Sequence, residues 1–143
     1  MAKQSTLFLT YRYRLEGTIF LNTDTTNFKT IAQAGIDISG SNNDSNIVSI
    51  TVNCNDTVAN NLILQFSNGA TAYPWLNFPV PAVSGTVIAT NTELLTTIGN
   101  GVQADSNGNF YYKLPVGWSI LAGLATALSA GKQCTVLAAF EDF

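Results

Sequence analysis

Histidine is missing from the 143-residue chain, and charged residues make up only 10% of it. Without an imidazole, the chain can form neither a Ser-His-Asp nor a Cys-His relay, and no histidine is available to ligate a metal. An average soluble domain carries roughly 25% charged residues. The surface is therefore built mainly from neutral side chains, chiefly the 15 Asn, 17 Thr and 10 Ser. We expect so weakly charged a surface to be covered by other subunits.

Positive charge is especially scarce, and the net charge is −3. The six cations are Lys3, Arg12, Arg14, Lys29, Lys113 and Lys132. Binding to a phosphate backbone depends on neutralisation by many such cations, so we expect no nucleic-acid partner.

Long apolar runs are also missing. The longest, residues 118–130, is interrupted by polar or small residues and is shorter than the roughly 20 residues that span a bilayer. No apolar signal segment follows Met1. We expect no membrane partner, and we expect the protein to be made in the cytoplasm.

Two cysteines, Cys54 and Cys134, are too few for a disulfide framework, and they lack C-x-x-C spacing. Each lies in a strand-like run, so we expect buried free thiols, with an inter-strand disulfide as the alternative. No Cys/His cluster that could bind zinc is present, and no cofactor motif is found.

Short β-type runs separated by turn signals fill most of the chain. The clearest run, 47–54, is β-branched and alternates in polarity. The Asn68-Gly69 pair predicts a hairpin that joins 61–67 to 70–73, and the prolines after it restrict that segment to an edge strand or irregular structure. Other expected strands are 18–21, 28–38, 87–89, 110–114 and 133–140. Residues 118–128 fit a helix or a buried strand, and the short turns on either side favour a strand that forms a hairpin with 133–140.

Loops and one short helix complete this interpretation. Residues 39–46 and 105–109 are expected to be a polar loop and a tight turn, and 91–99 a helix with Asn91 as N-cap. About eight strands at this spacing predict an all-β fold, a sandwich or a barrel. We expect a single jelly-roll-like β-sandwich at 28–143, preceded by an N-terminal strand or arm at 1–27.

The N-terminal run 5–16 alternates strictly and predicts a long strand that Gly17 breaks. Within it, Tyr11, Arg12, Tyr13 and Arg14 alternate aromatic and cationic side chains. Tyr, Trp and Arg are the usual anchors of protein interfaces, so we predict that this segment adds a strand to a neighbouring subunit.

Aromatic residues of the proline-rich stretch form the second candidate surface. Trp75 and Phe78 are predicted interface residues, and with Tyr73 they would alternatively form a platform for a sugar ring. The nine acids are scattered over turns and chain ends, so no pair of carboxylates predicts a glycosidase. Asp105-Ser106-Asn107-Gly108-Asn109 begins like a calcium loop but lacks the later bidentate acid, which favours a plain turn.

Three stretches carry a resemblance to a known family. The first is a short motif, Cys54-Asn55-Asp56-Thr57-Val58-Ala59. It resembles the S-D-D-T-x-A motif of small proteins encoded in tailed-phage structural gene clusters. Residues 105–118 resemble their D-x-N-G-N-x-Y-x-x-L-P-x-G-W stretch, and 127–143 resemble their C-terminal stretch with its Gly-Lys and Ala-Phe steps. The resemblance covers roughly residues 48–143 and implies a virion structural protein.

Together these features predict a non-enzymatic capsid decoration, or cement, protein. Its partners would be the major capsid protein and further copies of itself, as a homo-oligomer that we expect to be a trimer. It would lie on the virion capsid surface. The alternatives are a neck or tail component and a carbohydrate-binding module on the virion surface. A carboxylate-dependent hydrolase is the poorest of these hypotheses, because the acids are scattered and histidine is absent.

Overall fold

The chain folds into β-strands whose side chains alternate between a shared core and the outside. The computed structural model describes residues 12–34, 45–85, 92–93 and 101–142, with only the backbone of Arg12, Tyr13, Thr92, Glu93 and Asp142. The described strands are β1 (Arg12–Leu21), β2 (Lys29–Gln33), β3 (Ser45–Cys54), β4 (Asn60–Ser67), β5 (Ala72–Val80), β6 (Thr92–Glu93), β7 (Gln103–Ala104), β8 (Phe110–Leu114), β9 (Ser119–Leu124) and β10 (Gln133–Asp142). A single turn of 3₁₀ helix, Asn22–Asp24, follows β1.

Two antiparallel sheets form the sandwich. Sheet A has the order β1-β10-β3-β8-β7, with β6 beside the other end of β3, and sheet B has the order β2-β9-β4-β5. The chain changes sheet between most consecutive strands, and only β4–β5 and β7–β8 are hairpins within the described part. This is the strand order of a jelly roll, so the predicted all-β sandwich is confirmed. It has ten described strands rather than about eight.

The predicted hairpin between 118–128 and 133–140 is wrong. β9 pairs with β2 and β4 in sheet B, whereas β10 pairs with β1 and β3 in sheet A. Both edges of β9 are thus occupied, and the connection 125–132 is long enough to cross the ~10 Å between packed sheets. Asn60 fixes this crossing, because its side-chain amide donates to the Thr126 carbonyl at 2.8 Å.

Gly17 does not break the first strand, contrary to the prediction. β1 pairs continuously with β10 from Arg12 opposite Asp142 to Leu21 opposite Gln133. A Cβ at Gly17 would lie 2.5 Å from the Val136 carbonyl oxygen, so glycine permits the close approach of the two backbones. The predicted arm 1–27 is therefore described from residue 12 onward as the edge strand of sheet A, and residues 1–11 lie outside the described part.

Turn predictions are largely confirmed. The Asn68-Gly69 hairpin forms, although its loop spans residues 68–71 because Ser67 pairs with Ala72. The Asp105 side chain accepts the N–H groups of Asn107 and Asn109 and closes the predicted tight turn. As the prolines indicated, β5 is the edge of sheet B.

Two further predictions are corrected. Ser45 and Asn46, expected in a loop, begin β3 because they pair with both β10 and β8. Thr92 and Glu93, expected in the first turn of a helix, pair with Val52 and Thr51 as β6. The rest of that helix, the strand at 87–89, the loop residues 39–44, and Ile36 and Ile38 lie outside the described residues.

A single apolar core fills the space between the sheets. Its largest fully buried side chains include Phe20 of β1, Phe140 of β10 and Leu64 of β4. Phe20 shows that β1 contributes to the core. Trp75, Leu76 and Phe78 pack against it from β5.

Candidate interaction surface

The outer side of sheet A carries an exposed apolar face at β1 and β10. Leu15, Ile19 and Leu21 of β1 are 62, 49 and 46% exposed, and Leu137 of β10 is 46% exposed. Leu137 is the register partner of Gly17 and lies over it, between Leu15 and Ile19. We call these four exposed side chains the outer apolar face.

The surroundings of this face are neutral on the side of β3. Thr135 lines the shallow depression between Leu15, Ile19 and Leu137, and Glu16 is the one charged residue of its lining. On β3, the next strand beyond β10, Thr51 pairs with Leu137 and Asn53 with Thr135. Thr51 and Asn53 are both partly exposed. Toward β3 the face therefore continues into hydroxyl and amide groups.

The adjoining edge of β1 has free backbone groups over part of its length. Leu21 N–H donates to Asp24 Oδ2 at 2.7 Å, and the Ile19 carbonyl accepts Lys29 Nζ at 2.9 Å. These groups point away from β10. Because strand geometry repeats every two residues, Leu15 and Gly17 point their N–H and carbonyl groups the same way. Asp24 and Lys29 thus cover one end of the edge, and in the described part no strand pairs with the other end.

Arg14 faces the interior of the molecule. Its guanidinium lies 4.3 Å from the Phe140 ring centroid, forms an ion pair with Glu16, and donates to the Gln33 carbonyl at 2.9 Å. Glu16 in turn accepts the Gln33 N–H at 2.9 Å. This network joins β1 to the end of β2. The side chains of Tyr11, Arg12 and Tyr13 are outside the described part, so their predicted interface role stays a prediction.

Trp75 belongs to an aromatic cluster that bridges the two sheets. A β-bulge places it between Leu76, opposite Leu64, and Pro74, opposite Gln65. Its ring centroid lies 4.3 Å from Phe66 and 4.8 Å from Tyr112 of sheet A, and Phe66 stacks on Tyr112 at 4.7 Å.

This packing limits the alternative sugar platform. Trp75 and Phe78 are both partly buried and pack against the core. Tyr73 is 46% exposed, and its ring lies 5.9 Å from Trp118. Tyr73 and Trp75 thus pack with different aromatic neighbours.

The carboxylates of Asp56 and Asp105 have structural partners. Buried Asp56 accepts hydrogen bonds from the Ser129 N–H and hydroxyl, both at 2.8 Å, and from Val58 N–H. These bonds, the one from Ser129 N–H foremost, lower the pKa of Asp56. Bonds from Asn109 likewise lower the pKa of Asp105. Both residues hold turns, and the described residues contain no group of three metal-ligating side chains.

The alternating run 5–16 included Leu15, but Ile19, Leu21 and Leu137 were not predicted to form a surface. The sequence does show that both faces of 12–21 are partly apolar, because Phe20 lies on the opposite face of the strand from Leu15 and Ile19. Alternation alone does not say which face is buried. In the fold, Phe20 is inside and the leucine–isoleucine set is outside.

Comparison with known proteins adds no identification: no family model, curated protein or solved structure matches the chain. Among the described residues, no helix has the length and apolar character to cross a membrane.

Proposed function

We propose that the chain is a non-enzymatic phage virion protein that decorates the capsid shell and stabilises it as an oligomer. The observation that carries the proposal is the outer apolar face beside the uncovered end of the β1 edge. Such an edge can extend a neighbour's sheet, while the apolar side chains next to it supply buried area.

The charge distribution supports this use. Two of the six cations, Arg14 and Lys29, are held against the core rings Phe140 and Phe20 rather than displayed on the outer apolar face. A neutral surface loses little hydration energy when another protein covers it. The jelly-roll architecture also occurs among viral capsid domains, which agrees with the proposal without establishing it.

Stabilisation would follow from mass action. A protein that binds the assembled shell, and not its separated subunits, shifts the equilibrium toward the shell. The β1 edge and outer apolar face would contact further copies of the chain, as a trimer, and the major capsid protein would be the second partner.

Co-sedimentation with empty phage shells tests the proposal. We expect the full chain to sediment with the shells, and Ile19→Asp to remain in the supernatant, since it places a charge in the outer apolar face. Asn77→Asp, an exposed change on β5 of sheet B, is the matched control and should bind as the wild type does. Equal binding of all three proteins would exclude this face, and no binding by any would oppose the decoration role.

Deletion of residues 1–11 separately tests the predicted N-terminal arm. If this segment adds a strand to a neighbour, the deletion should weaken shell binding while the circular dichroism of the sandwich is retained. Unchanged binding would remove the arm from the proposal.

Two alternatives remain with their own tests. A map of the intact particle distinguishes a shell protein, in hundreds of copies, from a neck or tail component in about a dozen or fewer, an expectation from symmetric assembly. The exposed Tyr73 ring beside Trp118 is the observation that would favour a glycan. A glycan array without hits would discard that function.

A further inference from the structure

Cys54 and Cys134 form a cross-strand pair. They lie directly opposite one another in the β3–β10 ladder, and both are free, buried thiols, as the sequence predicted. Cys54 N–H donates to the Ser84 carbonyl at 2.8 Å and therefore points away from β10. The pair thus occupies a position of the antiparallel ladder at which facing residues exchange no backbone hydrogen bonds.

Such positions bring side chains closest. Their Cα atoms lie about 4.5 Å apart, and a disulfide requires a Cα separation of about 4.4–6.8 Å. Both side chains are buried in the core, and the two thiols are close enough that each shifts the pKa of the other. Bridging them needs no change of strand partner.

We propose that Cys54 and Cys134 are a redox modification site, at which a small-molecule disulfide converts the two thiols into an intramolecular disulfide between β3 and β10. Cys54 is the last residue of β3, and Cys134 is next to the first residue of β10. Fraying at this end of the ladder admits the oxidant.

The exchange proceeds in two balanced steps. The Cys54 thiolate attacks one sulfur of the small disulfide, which forms a mixed disulfide and releases one small thiolate. Cys134 then loses its proton and attacks the Cys54 sulfur, which forms the protein disulfide and releases the second small thiolate. Two electrons pass from the protein thiols to the small disulfide, which is reduced to two thiols.

The surroundings of the two cysteines indicate which thiol attacks the small disulfide first. The hydrogen bond from Cys134, followed by one from Asp56 N–H, lowers the pKa of Cys54. The hydrogen bond to Cys54, followed by burial, raises the pKa of Cys134. Cys54 is also the last residue of β3, whereas Cys134 is fully buried between β1 and β3. Cys54 is therefore the attacking thiol and Cys134 the resolving one.

The test uses the folded full-length chain and oxidised glutathione. We expect the mass to fall by two hydrogens, both thiols to become unreactive in denaturant, and the product to stay free of intermolecular disulfides. Closing the long loop 54–134 should raise Tm by about 5–15 °C, and dithiothreitol should reverse the change. Two free thiols after prolonged incubation, disulfide-linked dimers, or an unchanged or lower Tm would each overturn the proposal.

Single variants test the order of attack. Cys134→Ser should accumulate a glutathione mixed disulfide at Cys54, whereas Cys54→Ser should leave Cys134 unmodified over the same time. The reverse pattern would refute the assignment of Cys54 as the attacking thiol. If either variant fails to fold, the mass and Tm of the wild-type protein still test whether the disulfide forms.

Discussion

The two long sides of the sandwich are closed by different chemistry. On the β1–β2 side, Arg14, Glu16 and Lys29 form ion pairs and bonds to backbone groups of the facing strand. On the β5–β8 side, Phe66, Trp75 and Tyr112 form a ring cluster between the sheets. One side uses several of the chain's few charged residues, and the other has a cluster of aromatic rings.

The edge strands on the two sides, β5 and β1, differ in how well they could pair with a strand of another protein. β5 carries Pro74 and Pro79 and a bulge at Trp75, which are common means of preventing a neighbour from pairing with an edge strand. β1 has no proline between residues 12 and 21, and its ladder with β10 is continuous. The comparison teaches that the sandwich protects one edge and keeps the other suited to pairing, beside the outer apolar face.

The largest effect on stability is expected on the aromatic side. Trp75→Ala removes a ring that contacts two others and should lower the free energy of unfolding by about 3 kcal/mol. On the polar side, Arg14→Met keeps most of the side-chain length and should cost about 1 kcal/mol, since partly exposed ion pairs and cation–π contacts contribute little. Urea denaturation of both variants measures the difference, and equal losses would mean that the two sides are closed with equal strength.

Self-association tests the difference between the two edges. Leu15→Asp places a charge at the most exposed position of the outer apolar face and should weaken association by at least about 30-fold, because burying an unpaired charge costs more than about 2 kcal/mol. Asn77→Asp adds the same charge on the β5 side and should change the association constant little. Sedimentation equilibrium measures the association constants of both variants. If Asn77→Asp weakened association more, the oligomer would form through sheet B.

The glycines of the two sheets provide a smaller, local comparison. Gly17→Ala brings a Cβ to 2.5 Å from the Val136 carbonyl, a backbone atom, and should cost about 1–3 kcal/mol. Gly123→Ala meets the Phe28 ring at 3.1 Å, and Phe28 is 40% exposed and can turn aside, so its cost should stay below about 1 kcal/mol. Thermal unfolding ranks the two, and the opposite ranking would contradict the tight approach of β1 to β10.

Local patterns were sufficient to predict part of the fold. The alternation of 47–54, the run 110–114 and the turn chemistry of Asn68 and Asp105 act within a few residues, and all four are found as predicted. These predictions depend only on short-range geometry.

Predictions that required knowledge of distant partners failed. Gly17 resembles a strand breaker until β10 lies against it, and β9 and β10 resemble a hairpin until their other partners are known. The candidate surface shows the same limit, since the pattern of residues 11–14 does not reveal that Arg14 contacts Gln33 and Phe140. Which face of a strand is buried depends on the sheet that packs on it.

The smallest expected effect concerns pH at the covered end of the β1 edge. The hydrogen bond from Lys29, followed by one from Leu21 N–H, lowers the pKa of Asp24. A carboxyl whose pKa is lowered by folding contributes stability above its ordinary pKa and loses it as the pH falls through the folded value. Acidification should therefore reduce hydrogen-exchange protection at the Leu21 amide, while the aromatic side stays unchanged.

The Thr71 amide is the matched control, because it donates to Asn68 Oδ1, an oxygen that does not titrate, at 2.8 Å. NMR-detected exchange should show the Leu21 protection factor falling in acid and the Thr71 factor holding. Asp24→Asn should lower the protection factor of Leu21 already at neutral pH and abolish its further fall in acid. If the fall in acid persisted in Asp24→Asn, another titrating group would control this end of the β1 edge. If the fall were abolished and self-association rose modestly, the Asp24–Lys29 pair would limit how far a neighbouring strand can pair along β1.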